Sequence, residues 1–321
     1  MASTSLLSNT NPVPFKTAEA NAKKLITAFK TGPVSKSTHY PYLGKIAIVK
    51  GLEDTLKNSG QILAQKNSSL CGPAAFFFSL VKIRPDIYVE LVIDLYTNGK
   101  SSLKNLKLQS SQRARNHKPI RLSAVDWLLL SSIKPKYDHP DEQFDGITLP
   151  GKLKSWFIDA GFTSVVDNTN IFSNKNLKTL LEAQRDFKNG YKICLFVDAD
   201  IFKTKPRKNG PSPFPNHWVV MNSDITISKY NEKTKKHAAA TIINQSTITT
   251  INNQIKAIED TAFLDNDDED DVSTETYDRI LLNAFTWGGQ NTSVQSTISR
   301  SQNARLSYFL NGFYGYVKAK R

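Results

Sequence analysis

The chain has 321 residues, 39% hydrophobic and 10% aromatic, enough to bury a substantial core as one large domain or two smaller ones. This composition excludes a disordered class, and no apolar run approaches the length needed to span a bilayer. The formal charge of +13 comes from scattered Lys and Arg, with only short clusters such as KTKPRK (203–208) and no recognition helix or aromatic-basic repeat, which favours a solvated lysine-rich surface over direct nucleic-acid binding.

Residues 1–14 are rich in Ser, Thr, Asn and Pro and are expected to be loose; without a basic stretch followed by a long apolar one, no signal peptide is expected there. KTAEANAKKLITAFK (16–30) has apolar residues at helical spacing, and TGPVSKSTHYPYLG breaks the pattern. The first forty residues are therefore expected to form a leader or linker, with one domain over 41–321 and no internal repeat.

A helix is predicted to begin near Cys71, to carry AAFFFSLVKI and to stop before Pro85, which suits the first turn of the next helix. That helix, PDIYVELVIDLYTNG, ends at the stop signal Asn98-Gly99. SAVDWLLLSSI (123–133) opens on a Ser cap, PGKLKSWFIDAG (150–161) is bracketed by Pro and Gly, and NKNLKTLLEAQRDFKNG (174–190) runs from an Asn cap to Gly190.

The character then changes. YKICLFVDADIF, HWVVMNSDITISKY, AAATIINQSTITTI, RILLNAFTWG and SYFLNGFYGYVKA are β-branched and aromatic with turns between them, and read as strands. Helices first and strands later predict an α+β class with an antiparallel sheet. The acidic tract LDNDDEDDVSTETYD (264–278) lacks the central Gly and final Glu of a calcium loop and reads as a solvated insertion, so neither metal nor cofactor is expected.

Two cysteines are too few for a disulfide framework or a sulfur-based structural zinc site. Cys194, inside an apolar strand, reads as a core thiol. Cys71 stands in QKNSSLCGPAAFFF (65–78) at a helix start, where unpaired N–H groups and the helix dipole favour thiolate. Gly72 permits close backbone approach, and Pro73 costs nothing at the first helical position, where its missing N–H would be unpaired. Cys71 is therefore expected to be a partly exposed thiolate.

A cysteine nucleophile needs a base, most often histidine. Among His39, His117, His139, His217 and His237, only His217 opens a strongly apolar strand, HWVVM, where an imidazole at the rim can reach a neighbouring helix end. Gln65, six residues before Cys71, can turn its amide back toward the helix start and donate, with the backbone N–H of Cys71, to charge developing on a carbonyl oxygen.

Gln65, CGPA at Cys71, and HWVV at His217 opening a β-region together resemble the papain-like cysteine peptidase fold. They are most similar to bacteriocin-processing peptidases and to papain-like domains of secreted bacterial effector toxins. The resemblance spans roughly residues 45–320 and implies Cys71 as nucleophile, His217 as base and Gln65 as oxyanion donor. TWGG (286–289) resembles the Trp-Gly pair that follows the third catalytic residue in papain relatives, although Phe285 stands where their Asn would be. Asn222 and Asp224 lie about 17–23 Å along the histidine's own strand at about 3.3 Å per residue, too far to orient it. Asn244, Asn283 or a bare Cys-His dyad remain for the third position.

The resemblance further implies a protease cleaving peptide or isopeptide bonds, with a protein substrate. It would be made in the cytoplasm, exported by a specialised secretion system into a target cell as an antibacterial toxin, and partnered by a cognate immunity protein. The same site could instead serve an amidase or deamidase acting on peptidoglycan or glutamine side chains. A non-enzymatic basic binding module with Cys71 as a core thiol is the alternative from a different class.

Overall fold

Local signals position the helices of the first half. The computed structural model describes residues 6–7, 12–58, 70–120, 122–134, 147–173, 176–202, 214–231, 234, 236–261, 275–282, 284–286 and 306–321. Helix α1 (Phe15–Thr31) and α2 (Lys45–Lys57) precede α3 (Cys71–Val81) and α4 (Pro85–Asn98). Pro85 occupies the first turn of α4, and Gly99 ends it in the left-handed region at φ 70°, where a side chain would be strained. A short hairpin, β1 (Ser101–Leu103) and β2 (Leu106–Leu108), leads to α5 (Gln112–Arg115), α6 (Ala124–Ile133) and α7 (Pro150–Asp159). Ser123 caps α6: its hydroxyl oxygen accepts from the Asp126 N–H at 3.1 Å and its O–H donates to the Asp126 carboxylate at 2.8 Å.

The second half alternates strands and helices. Strand β3 (Thr163–Thr169), α8 (Leu177–Lys188) and β4 (Lys192–Val197) are followed by a single 3-10 turn at Ala199–Phe202. Next come β5 (His217–Met221), β6 (Thr226–Asn231), β7 (Lys236–His237), β8 (Thr241–Ile242) and α9 (Gln245–Thr261). Strands β9 (Glu275–Leu281) and β10 (Ala284–Phe285), helix α10 (Leu306–Asn311) and β11 (Phe313–Lys320) complete the order.

Five strands form one antiparallel sheet in the order β10-β5-β4-β11-β3, and β6 centres a second antiparallel sheet with β7, β8 and β9. The class is mixed helix and sheet with antiparallel pairing, as the order of elements predicts. Successive strand residues point to opposite faces. One face of the five-stranded sheet, with Cys194, Phe196, Trp218, Val220 and Phe285, packs against the helices of the first half. The other, with Leu195, Val197, Val219, Met221 and Ala284, packs against α8, α9, α10 and β6.

Helix α3 is buried over its whole length, as a helix apolar all round must be, and lies at the centre of the first core against β5, α4 and α7. Its one hydroxyl, on Ser79, donates to the Ala75 carbonyl at 2.8 Å. Three expectations change. SYFLN of the last predicted strand belongs to α10, which leaves only the part from Phe313 to β11. Helix α1 buries Ala18, Ala22, Ile26 and Phe29 and packs on α2 and α4, so the segment read as a leader contributes to the main core. The stretch AAATIINQSTITTI, read as a strand, gives only the two residues of β8 before α9 begins. Asn244 and Thr247 start this helix reciprocally: the Asn244 carbonyl-type Oδ1 accepts from the Thr247 N–H at 3.0 Å, and the Thr247 hydroxyl accepts from the Asn244 N–H at 2.9 Å. Its β-branched residues disfavour a helix only mildly, and burying Ile248 and Ile251 against the second core overrides that preference.

Candidate active site

Helix α3 begins without a side-chain cap. Leu70 stands before it in a non-helical conformation, and the first helical bond runs from the Ala74 N–H to the Leu70 carbonyl at 2.9 Å. The N–H groups of Cys71 and Gly72 are thus left without helical partners, and both face the Cys71 sulfur together with the backbone N–H of Trp218. Pro73 is the third helical residue rather than the first, still within the turn where its missing N–H is of no consequence.

The thiol nevertheless differs from the expected partly exposed thiolate. Cys71 is 4% exposed, and burial pushes its pKa above the ordinary value against the opposing pull of the Trp218 and Gly72 N–H groups, the Lys134 ammonium and its own N–H. The cause is the closure of the site from two sides. Strand β5 packs along α3, and Thr148 lies across the helix start. A Cβ added to Gly72 would meet Thr148 Cβ and Oγ1, both at 2.4 Å, so the glycine is required for this approach. The strap carrying Thr148 is held by the Trp218 indole, whose Nε1–H donates to the Thr148 carbonyl at 2.7 Å.

His217 is the first residue of β5 and pairs with Val197 of β4. The strand start is fixed by Asn216, which accepts from the Ala199 N–H at 2.7 Å and donates to Asp198 at 2.9 Å. Because cross-strand partners share a face, His217 lies on the side of Val197, Val219 and Met221, opposite the face that Trp218 presents to α3. Its Nε2 hydrogen-bonds the Thr286 hydroxyl at 2.5 Å. The imidazole is 3% exposed, and burial lowers its pKa from 6.5 to about 3, so it is neutral near pH 7.

The structure therefore brings the start of α3 and the start of β5 together. The residue adjoining the sulfur is Trp218, next to the histidine, and the imidazole is not among the groups facing the thiol. Gln65 and Asn283 lie outside the described residues, as do His139, Trp287, residues 203–213 and most of the acidic tract. Asn244 does not orient His217; its side chain caps α9. Asp224 is taken by Gln184 and Lys188 at 2.8 and 2.6 Å. Of the other histidines, His117 packs on Trp127, with ring centroids 5.2 Å apart, and His39 lies against Gly99. Cys194 is a buried thiol in β4, pushed up to about 12 by burial, with Ser79 Oγ at 3.8 Å.

Two residues at the site were not singled out from the sequence. Thr286 opens the TWGG motif, and its position before the Trp-Gly pair is the signal that could have marked it. Thr148 has no local signal: it stands 77 residues from Cys71, and only the tertiary fold brings them together. Among the described residues, no three His, Cys, Asp or Glu side chains are grouped to hold a metal, and no helix is long and apolar enough to cross a membrane. Comparison with protein-family models, with curated proteins and with solved structures finds no match for the chain.

Proposed function

We propose that this chain is a papain-like cysteine hydrolase cleaving peptide bonds, with Cys71 as nucleophile and His217 as general base. One observation carries the reading: a cysteine heads the central helix with three backbone N–H groups around its sulfur, and the strand crossing that point begins with a histidine. In the reaction the sulfur bonds to the carbonyl carbon while the C=O π pair moves to oxygen. Collapse of that oxyanion expels the amine, which takes its proton from the imidazolium formed when the thiol was deprotonated. Water then adds to the thioester, His217 accepts its proton, and the acid leaves with the thiol restored.

This chemistry requires the imidazole at the start of β5 to turn from the face of Val197 toward the face that Trp218 presents to α3. It also requires the sulfur to be uncovered enough to meet a carbonyl. Gln65 is retained as an oxyanion donor on the strength of its spacing alone. The same reading includes export as an antibacterial toxin and an immunity protein as partner, both resting on the resemblance rather than on the site.

The burial and neutrality of both residues favour a second reading, a non-enzymatic module with Cys71 as a core thiol. Iodoacetamide labelling at neutral pH separates the two. A nucleophile flanked by N–H groups labels well ahead of Cys194, whereas two core thiols label equally slowly. Expression of wild type and Cys71→Ala in bacteria, followed by a proteome-wide search for new protein termini, then tests peptide cleavage. Termini common to both strains count against the hydrolase.

A further inference from the structure

We infer that the Thr148 hydroxyl, packed against the first turn of α3, forms a binding subsite for the carbonyl oxygen of an acyl substrate. The inference rests on the cysteine hydrolase reading above and adds to it a donor that sequence spacing does not reveal. Thr148 is 2% exposed, and its Oγ1 is a buried hydroxyl without a hydrogen-bond partner. A buried hydroxyl left unsatisfied is destabilising, a penalty relieved when a bound oxygen accepts its hydrogen bond.

Its direction identifies the ligand. Oγ1 lies 2.4 Å from where a Gly72 Cβ would stand, directly against the first turn of α3. The N–H groups of Trp218, Gly72 and Cys71 act on the Cys71 sulfur at close range, and the Lys134 charge acts on it through space. The Thr148 hydroxyl lies against the adjoining Gly72 and, without a hydrogen-bond partner, is not spent on any group of the site. A carbonyl carbon attacked by that sulfur carries its oxygen about one bond length away, toward the donors that remain. The threonine carbonyl is tied to the Trp218 indole, so the hydroxyl is presented by a fixed backbone, as a donor acting on developing charge must be. The uncharged donor suits a neutral ester or amide carbonyl rather than a phosphate or carboxylate.

The test uses p-nitrophenyl acetate, an activated ester that needs no sequence specificity. Cys71 attacks its carbonyl, p-nitrophenolate leaves and an acetyl thioester remains, giving an absorbance burst that Cys71→Ala abolishes. Iodomethane, which has no carbonyl, alkylates the same thiol with loss of iodide and reports thiol reactivity alone. Thr148→Val should slow the burst by at least about tenfold, leave iodomethane alkylation unchanged and keep or raise the Tm, since an apolar isostere replaces an unsatisfied hydroxyl. Thr148→Ser should restore most of the burst, and Thr148→Ala should repeat the loss if the valine variant does not fold. An unchanged burst in Thr148→Val overturns the subsite while leaving the nucleophile in place. A parallel fall with both reagents also overturns it, because the hydroxyl would then act on the thiol. No burst in wild type beyond that of Cys71→Ala removes the hydrolase reading itself, and the subsite with it.

Discussion

Acid should destabilise this protein through His217 in a way that one substitution isolates. The imidazole is buried, and its pKa falls from 6.5 to about 3 because burial penalises the charged ring. In the unfolded chain the ring binds a proton as pH drops through about 6.5; in the folded protein it does not until about 3. Stability is therefore complete above pH 6.5 and is lost as pH falls toward 3, since protons favour the unfolded state. Within that window each pH unit costs about 1.4 kcal/mol, reaching ~2 kcal/mol by pH 5 and ~5 kcal/mol over the whole span. His217→Gln has no titrating ring and keeps an amide able to reach the Thr286 hydroxyl. Urea unfolding, followed by tryptophan fluorescence at pH 7, 6 and 5, gives the stability of both proteins. Carboxylates titrate alike in the two, so their difference reports His217 alone. The wild-type value should fall relative to the variant by ~2 kcal/mol from pH 7 to pH 5. Parallel curves would mean that the ring is solvated or charged in the folded protein, refuting the burial on which the reasoning depends.

Gly72→Ala should destabilise by about 1–3 kcal/mol in urea, because the new methyl meets a buried Thr148 whose carbonyl is tied to Trp218. Thr148→Gly in the same chain, which removes Cβ, Oγ1 and Cγ2 together, should give a combined loss smaller than the sum of the two, and additive losses would show that the clash is elsewhere. Asp86→Ala should cost about 3–5 kcal/mol, since it removes the carboxylate whose two oxygens accept from the Arg84 guanidinium at 2.8 and 2.9 Å, with neither side chain more than 2% exposed. Replacing both by apolar residues, Arg84→Met with Asp86→Leu, should bring stability back near wild type by thermal unfolding.

Most helices of the first half, though not α2 or α5, were legible because their signals are local. Ser123, Pro85, Pro150 and the Asn98-Gly99 pair act within one turn of their own backbone, so they act alike in any fold. An all-apolar run after Cys71 similarly implies a helix with no solvent face. Strand content in the second half was legible by composition, but α9 was not. Its Ile and Thr residues have weak local preferences, which burial against the second core overrides. The site divides the same way. A cysteine at a helix start and a histidine at a strand start are readable in the sequence, but their side-chain directions are not. The face of β5 that carries His217 follows from its register with Val197, and register depends on a partner strand 20 residues upstream. The burial of Cys71 under β5, the approach of Thr148 and the bond from His217 to Thr286 link residues 69 to 147 positions apart. No local pattern encodes such contacts, because they arise only when two packed faces bring distant segments to one point.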